Sequence, residues 1–179
     1  TGFHFKLRIE LPKKYLLELW LDESQNQWIS YDLAAPSRER EIKIMADKSW
    51  SKLGSITLTF RYLNFDIKDD KISEWLCHPR QANNIKFRIE GKVEAAKGIH
   101  LKSRIEYNQT SGFHPGWLFF QDIEFNELRF ISKLWFRFCF FDTREFESRI
   151  YAHENDVLYD FSSFMHYGKG LRGILMIRH

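Results

Sequence analysis

The stretch "LRFISKLWFRFCFFD", residues 128–142, holds five phenylalanines, a tryptophan and a cysteine, yet Arg129, Lys133 and Arg137 recur in it at every fourth place. Read at period two, it separates cleanly. Phe130, Leu134, Phe136, Phe138 and Phe140 point one way, interrupted only by Ser132, while Arg129, Lys133, Trp135, Arg137 and Cys139 point the other. That alternation defines a strand with one apolar and one cationic face. A helix would align Lys133 with Arg137 but would spread the phenylalanines and Trp135 around most of its circumference, so the helical reading is weak.

The same lettering recurs along the chain. Phe3, Phe5, Leu7, Ile9 and Leu11 alternate with His4, Lys6, Arg8 and Glu10. Ile85, Phe87, Ile89 and Val93 alternate with Lys86, Arg88, Glu90, Lys92 and Glu94, and Ile99, Leu101, Ile105 and Tyr107 with His100, Lys102, Arg104, Glu106 and Asn108. Weaker versions cover 15–22, 41–50 and 56–65, and the segments 117–125, 146–157 and 165–178 complete the series. The pattern predicts about ten strands of roughly 8 to 13 residues, a length that suits a tilted membrane-spanning strand of about 9 to 11. Short turn signals at 12–14, 52–54, 96–98 and 126–127 alternate with longer polar connections at 23–40, 66–83, 109–116 and 142–147. An up-and-down antiparallel meander gives that rhythm, and its regularity favours a barrel over a sandwich with crossovers.

Composition bounds the possibilities. With 179 residues, 44% of them hydrophobic and 17% aromatic, the chain has apolar material for a single domain, 1–179, and no linker or repeat divides it. No uncharged apolar run approaches about 18 residues, which excludes a transmembrane helix. Lysine and arginine number 27 against 24 acidic residues, a net charge of +3 with both signs intermixed. Nucleic-acid binding would call for a basic patch instead. The chain begins at Thr1 without a methionine and ends at His179 inside a strand pattern, so it is read as part of a longer protein.

Two architectures fit an alternating all-β chain. In a soluble lipocalin-like barrel the phenylalanines would point inward around a hydrophobic ligand; in an outer-membrane barrel they would meet lipid, with the charges lining the lumen. Three features favour the membrane. Aromatic residues lie near strand ends (Trp20, Trp28, Trp50, Tyr62, Trp75, Tyr107, Trp117, Tyr151 and Tyr159), as interfacial girdles require. Opposite charges occupy corresponding positions of sequential strands, Arg88 and Glu90 against Arg104 and Glu106. The polar face of the opening stretch includes Trp135 and Cys139, which a solvent-exposed face rarely needs.

The segment 140–179 carries Phe141-Asp142-Thr143, Ser148 to Ala152, Glu154 to Tyr159 with Phe161 beyond, and Gly168, Gly170 and Arg172. In these motifs it resembles the closing region of a Bacteroidota family in which an N-terminal helix-hairpin-helix segment precedes an outer-membrane-type β-barrel. "LKSRIEYNQ" (101–109) and "GWLFFQDIEF" (116–125) are similar to the preceding strands of that family. The resemblance implies a barrel. No helix-hairpin-helix is present, so the DNA-uptake role tied to that motif does not carry over.

The assignments follow. Lumen-facing charges are Arg88, Glu90, Lys102, Arg104, Glu106, Lys133 and Arg137; lipid-facing residues are Phe87, Ile105, Leu134, Phe136 and Phe138. Arginine at Phe136 should then cost far more than glutamine at Arg137. "YAHENDVLYDF" (151–161) groups Glu154, Asn155, Asp156 and Tyr159 where one strand pattern ends. It reads either as a loop that plugs the lumen or binds a divalent cation, or as a turn anchored to the wall, and its lack of EF-hand spacing favours the turn. Cys77 and His78 are adjacent and badly placed for joint chelation, so no metal or cofactor is expected. His100, Ser103 and Asn108 are residue types a hydrolase uses, but their parity puts Ser103 on the other face. The function expected is therefore non-enzymatic: an outer-membrane barrel, structural or transport-related, whose partners are membrane lipid and other proteins of an envelope assembly. The alternative is a soluble barrel holding a hydrophobic ligand.

Overall fold

The period-two segments become strands wherever the computed structural model describes the chain, which is over residues 1–28, 36–50, 54–68, 79–128, 131–154 and 163–179. They are β1 (Gly2–Leu11), β2 (Tyr15–Asn26), β3 (Ser37–Trp50), β4 (Gly54–Lys68), β5 (Pro79–Ala96), β6 (Ile99–Thr110), β7 (Gly116–Leu128), β8 (Ile131–Thr143), β9 (Ile150–His153), β10 (Ser163–His166) and β11 (Gly168–Arg178). Nine of them form one antiparallel sheet in the order β1-β2-β3-β4-β5-β6-β7-β8-β11, and β9 pairs with β10 in a separate two-stranded sheet. The all-β up-and-down meander is as the lettering predicts. Among the described residues no helix is long and apolar enough to cross a membrane.

Register keeps the two faces separate across the whole sheet. Ile44, Phe60, Phe87, Tyr107 and Trp117 are successive cross-strand partners, and so are their immediate neighbours Met45, Thr59, Arg88, Glu106 and Leu118. A slip of one residue in any pair would put a charge among the phenylalanines, so the alternation itself fixes the register.

The sequence reading fails at the end of the chain. The predicted strand 165–178 is two strands in two sheets, broken at Gly168, whose φ of +86° is open to glycine at little cost. The described part of the predicted strand 146–157 is a 3-10 turn (Phe146–Ser148) followed by the four residues of β9. Consequently β8 pairs with β11, and β9 and β10 stand outside that sheet, with β9 against its charged face.

There Ile150 and Ala152 pack onto Leu118, Phe120 and Cys139, with Phe141 alongside. Fully burying side chains of this size contributes about 1.5–3 kcal/mol each for the larger ones, which is what holds the hairpin down. Gly116 permits the close approach: a Cβ at that position would collide with the Ser148 carbonyl oxygen. Polar latches fix the rest. Asn108 Nδ2 donates to the Arg149 carbonyl at 3.1 Å, Thr110 Oγ1 to that of Glu147 at 3.0 Å, and Thr143 Oγ1 to that of His166 at 2.9 Å. Ser148 Oγ donates to the His114 carbonyl, and the His114 amide donates to Glu145 at 2.6 Å.

Candidate functional site

The charged face is the chemically distinctive part of the molecule. Arg88, Glu90, Lys102, Arg104, Glu106, Lys133 and Arg137 all lie on it, in register across β5 to β8. The structure brings them into connected ion pairs. Arg88 Nε donates to Glu106 at 2.7 Å, and Arg104 donates twice to Glu90, at 2.9 and 2.7 Å. Lys102 stands 3.4 Å from the same Glu90 carboxylate, and Lys133 pairs with Glu124 at 2.8 Å. Arg137 makes a fork-to-fork pair with Asp122, at 2.6 and 2.7 Å, and donates to the His153 carbonyl at 2.7 Å. The planar guanidinium matches a carboxylate in this geometry, which lysine cannot do.

Burial here is unusual in kind. Glu106 is wholly buried and Arg137 is 2% exposed, while Phe136 beside it is 40% exposed. The Phe120 ring lies between two cations, with the Arg104 guanidinium 5.0 Å and that of Arg137 4.0 Å from its centre. Such contacts offset part of the cost of desolvating the arginines.

On the opposite face stand Phe87, Ile105, Phe136 and Phe138, all exposed, and the half-buried Leu134. The exposed apolar set continues over the whole sheet, from Phe3 and Leu7 on β1 to Leu171 and Leu175 on β11. Tyr107 and Trp117 meet on it, ring centres 4.5 Å apart, near the ends of β6 and β7. Trp20 differs from the expectation of an end-of-strand aromatic: it sits on the charged face with Lys6 and Lys43 over its ring. Trp75 and Tyr159 lie outside the described residues.

Of Glu154, Asn155, Asp156 and Tyr159 in the loop motif, only Glu154 falls among the described residues. It is buried and accepts from Arg172 at 3.0 Å, which ties the hairpin to β11. Asn155, Asp156 and Tyr159 lie outside the described residues, as does Cys77. Cys139 is buried with its sulfur 4.0 Å from Nδ1 of His166. Burial depresses the His166 imidazole to a pKa of about 4, with Arg172 and Arg137 adding to the shift and Glu106 opposing it.

His100 and Asn108 share the charged face, and Ser103 stands on the apolar one, bonded to Gln121. These three are not brought together. No cluster of three or more metal-ligating side chains forms among the described residues. Asp122, Glu124 and His166 escaped the sequence reading. Asp122 was visible in principle, because pairing 117–125 with 128–142 through a short turn sets it opposite Arg137. His166 was not, since its place depends on the break at Gly168.

A recess of about 440 Å³ opens at one end of this face, lined by Lys92, His100, Lys102, Glu124, Arg137 and His153 among others. Comparison of the chain with family models, curated proteins and solved structures found no match.

Proposed function

We propose that the chain forms part of an outer-membrane β-barrel, structural or transport-related, with its apolar face on lipid and its charged face on a lumen narrowed by the β9–β10 hairpin. The observation that carries this reading is the inversion of burial: large apolar side chains lie exposed on one face of all nine sheet strands, and ion pairs are buried on the other. In water that arrangement exposes a far larger apolar patch than a soluble monomer tolerates. Against acyl chains it is the stable one.

Dimensions and ends support the same reading. The apolar positions of β5 run from Ile85 to Val93, about 26 Å along the strand and about 20 Å in height at a tilt near 40°. Beyond them the apolar face turns polar, at Glu23, Arg40, Asn64, Asn83, Gln109, Asp142 and Lys169. Connections alternate accordingly. Three residues or fewer join β1 to β2, β3 to β4, β5 to β6 and β7 to β8, and the longer links all lie at the other end. Outer-membrane barrels keep short turns on the periplasmic side and long loops outside. On that basis the hairpin is an outer loop folded inward. In a bilayer the main-chain groups of β1 and β11 must also be paired, by further strands of the barrel.

The test is membrane fractionation of the full-length protein in its native cells, with carbonate and urea washes, followed by comparison of heated and unheated samples on a denaturing gel. Retention in the outer membrane with heat-dependent mobility is expected. Release into the soluble fraction would overturn the proposal and turn attention to a ligand held against the phenylalanine face.

A further inference from the structure

Where the hairpin covers the charged face, charges answer one another across strands: Arg88 faces Glu106, Glu90 faces Arg104, and Asp122 stands between Lys102 and Arg137. Lys92 and Lys102 face each other, but Glu90 lies 3.4 Å from both. A longer row breaks the rule on β1 to β5. Lys6, Trp20, Lys43, Arg61 and Lys86 are consecutive cross-strand partners on β1 to β5. Neighbouring strands are about 4.8 Å apart, and like charges directly opposite are destabilising.

The carboxylates near this row do not neutralise it. Arg61 donates to Glu41 at 2.6 Å. Lys86 is 3.5 Å from Glu106, whose other oxygen is taken by Arg88, and Lys6 is 3.6 Å from Glu18, shared with Arg8 at 3.7 Å. Lys43 has no carboxylate partner among the described residues and rests over the Trp20 ring at 4.4 Å. The Nε of Arg61 is buried with no hydrogen-bond partner. A buried donor left unsatisfied inside a run of like charges is a local conflict of the kind that folded sequences keep at functional sites.

We infer that Lys43, Arg61 and Lys86 form a binding site for a small solute carrying two or more adjacent anionic groups, of the diphosphate class. Three cations spaced one strand apart match neighbouring phosphates, and all three side chains stay partly exposed on that face. Trp20 holds Lys43 extended across its ring. The row ends at Asn108, where the hairpin is latched through the Arg149 carbonyl, so a solute in the lumen would lie beside the hairpin and not beneath it. The inference rests on the barrel reading only in placing the site in a lumen.

Equilibrium dialysis of the full-length protein in detergent against labelled inorganic pyrophosphate, at low salt, tests it. The wild type should bind, with affinity falling as salt is added. The double variant Lys43→Gln, Arg61→Gln should lose about tenfold or more, and Lys133→Gln on the same face should change little. Lys43→Glu restores alternation of charge, so it should abolish binding while raising the unfolding midpoint. Absence of wild-type binding, or equal affinity in the double variant, overturns the site. Heat-dependent gel mobility of the same samples reads the barrel independently: a sample that shifts but does not bind sinks the site and leaves the barrel standing.

Discussion

β1 and β6 are written in the same alphabet of alternating charge and hydrocarbon, yet every residue of β1 is exposed while β6 alternates down to a wholly buried glutamate. The difference lies outside both strands. β6, β7 and β8 carry the hairpin on their charged face, and among the described residues none packs over β1. Alternation decides which face a side chain occupies; what lies across that face decides its environment. The ion pairs of the two regions are therefore different interactions despite their similar spelling.

The sharpest way to break the comparison is to delete one carboxylate from each region. Asp122→Ala leaves Arg137 buried without its fork partner, which should destabilise by about 3–5 kcal/mol. Glu10→Ala removes the partner of Arg8 at 3.0 Å, where both side chains are more than half exposed, and should change stability by about 1 kcal/mol at most. Urea unfolding of the protein folded into lipid vesicles measures both. Equal costs would mean that the hairpin does not exclude water from β7 and β8.

A second contrast is between the two faces of β8. Arginine at Phe136 should cost about 2–4 kcal/mol at the bilayer midplane. The expectation of a mild Arg137→Gln does not survive the structure, because Asp122 would be stranded beneath the hairpin. The mild change on the charged face is Lys133→Gln, whose pair with Glu124 is about one-quarter exposed, at about 1 kcal/mol or less. The same unfolding assay reads both, and a tolerant Phe136→Arg would remove that position from lipid.

How much of this was legible in the sequence depends on the range of the interaction. For β1 to β8, period two is a local property, and strand type, face and approximate register could all be read from spacing. Strand ends were less legible: β4 runs on to Lys68 and β5 begins at Pro79, inside what reads as a polar connection. The break between β10 and β11 was misread because Ser163–His166 and Gly168–Arg178 keep a nearly continuous lettering through it. One glycine with positive φ separates two sheets there, and period carries no trace of it. The site shows the same division. Cross-strand ion pairs follow from register, whereas the latches of Asn108, Thr110 and Arg137 to hairpin carbonyls depend on a docking that only the folded chain reveals.

Protonation of His166 should produce the effect most specific to the covered region. Its imidazole sits among Cys139, Arg172 and Arg137, and burial first, then the two arginines, bring its pKa to about 4 from an ordinary value near 6.5. The unfolded or undocked hairpin therefore binds a proton that the docked one refuses. Docking is at full strength above about pH 6.5 and weakens as pH falls toward 4, below which the loss is complete. At pH 5.5 the undocked population should rise by at most about tenfold, the equivalent of one pKa unit. Hydrogen exchange of β9 and β10, corrected for the intrinsic rate at each pH, should show this loss of protection while β2 and β3 keep theirs. In His166→Phe, which retains an aromatic ring against Phe141 and Phe164, the pH dependence should vanish. A dependence that persisted in that variant would move the titrating group away from His166 and the hairpin core.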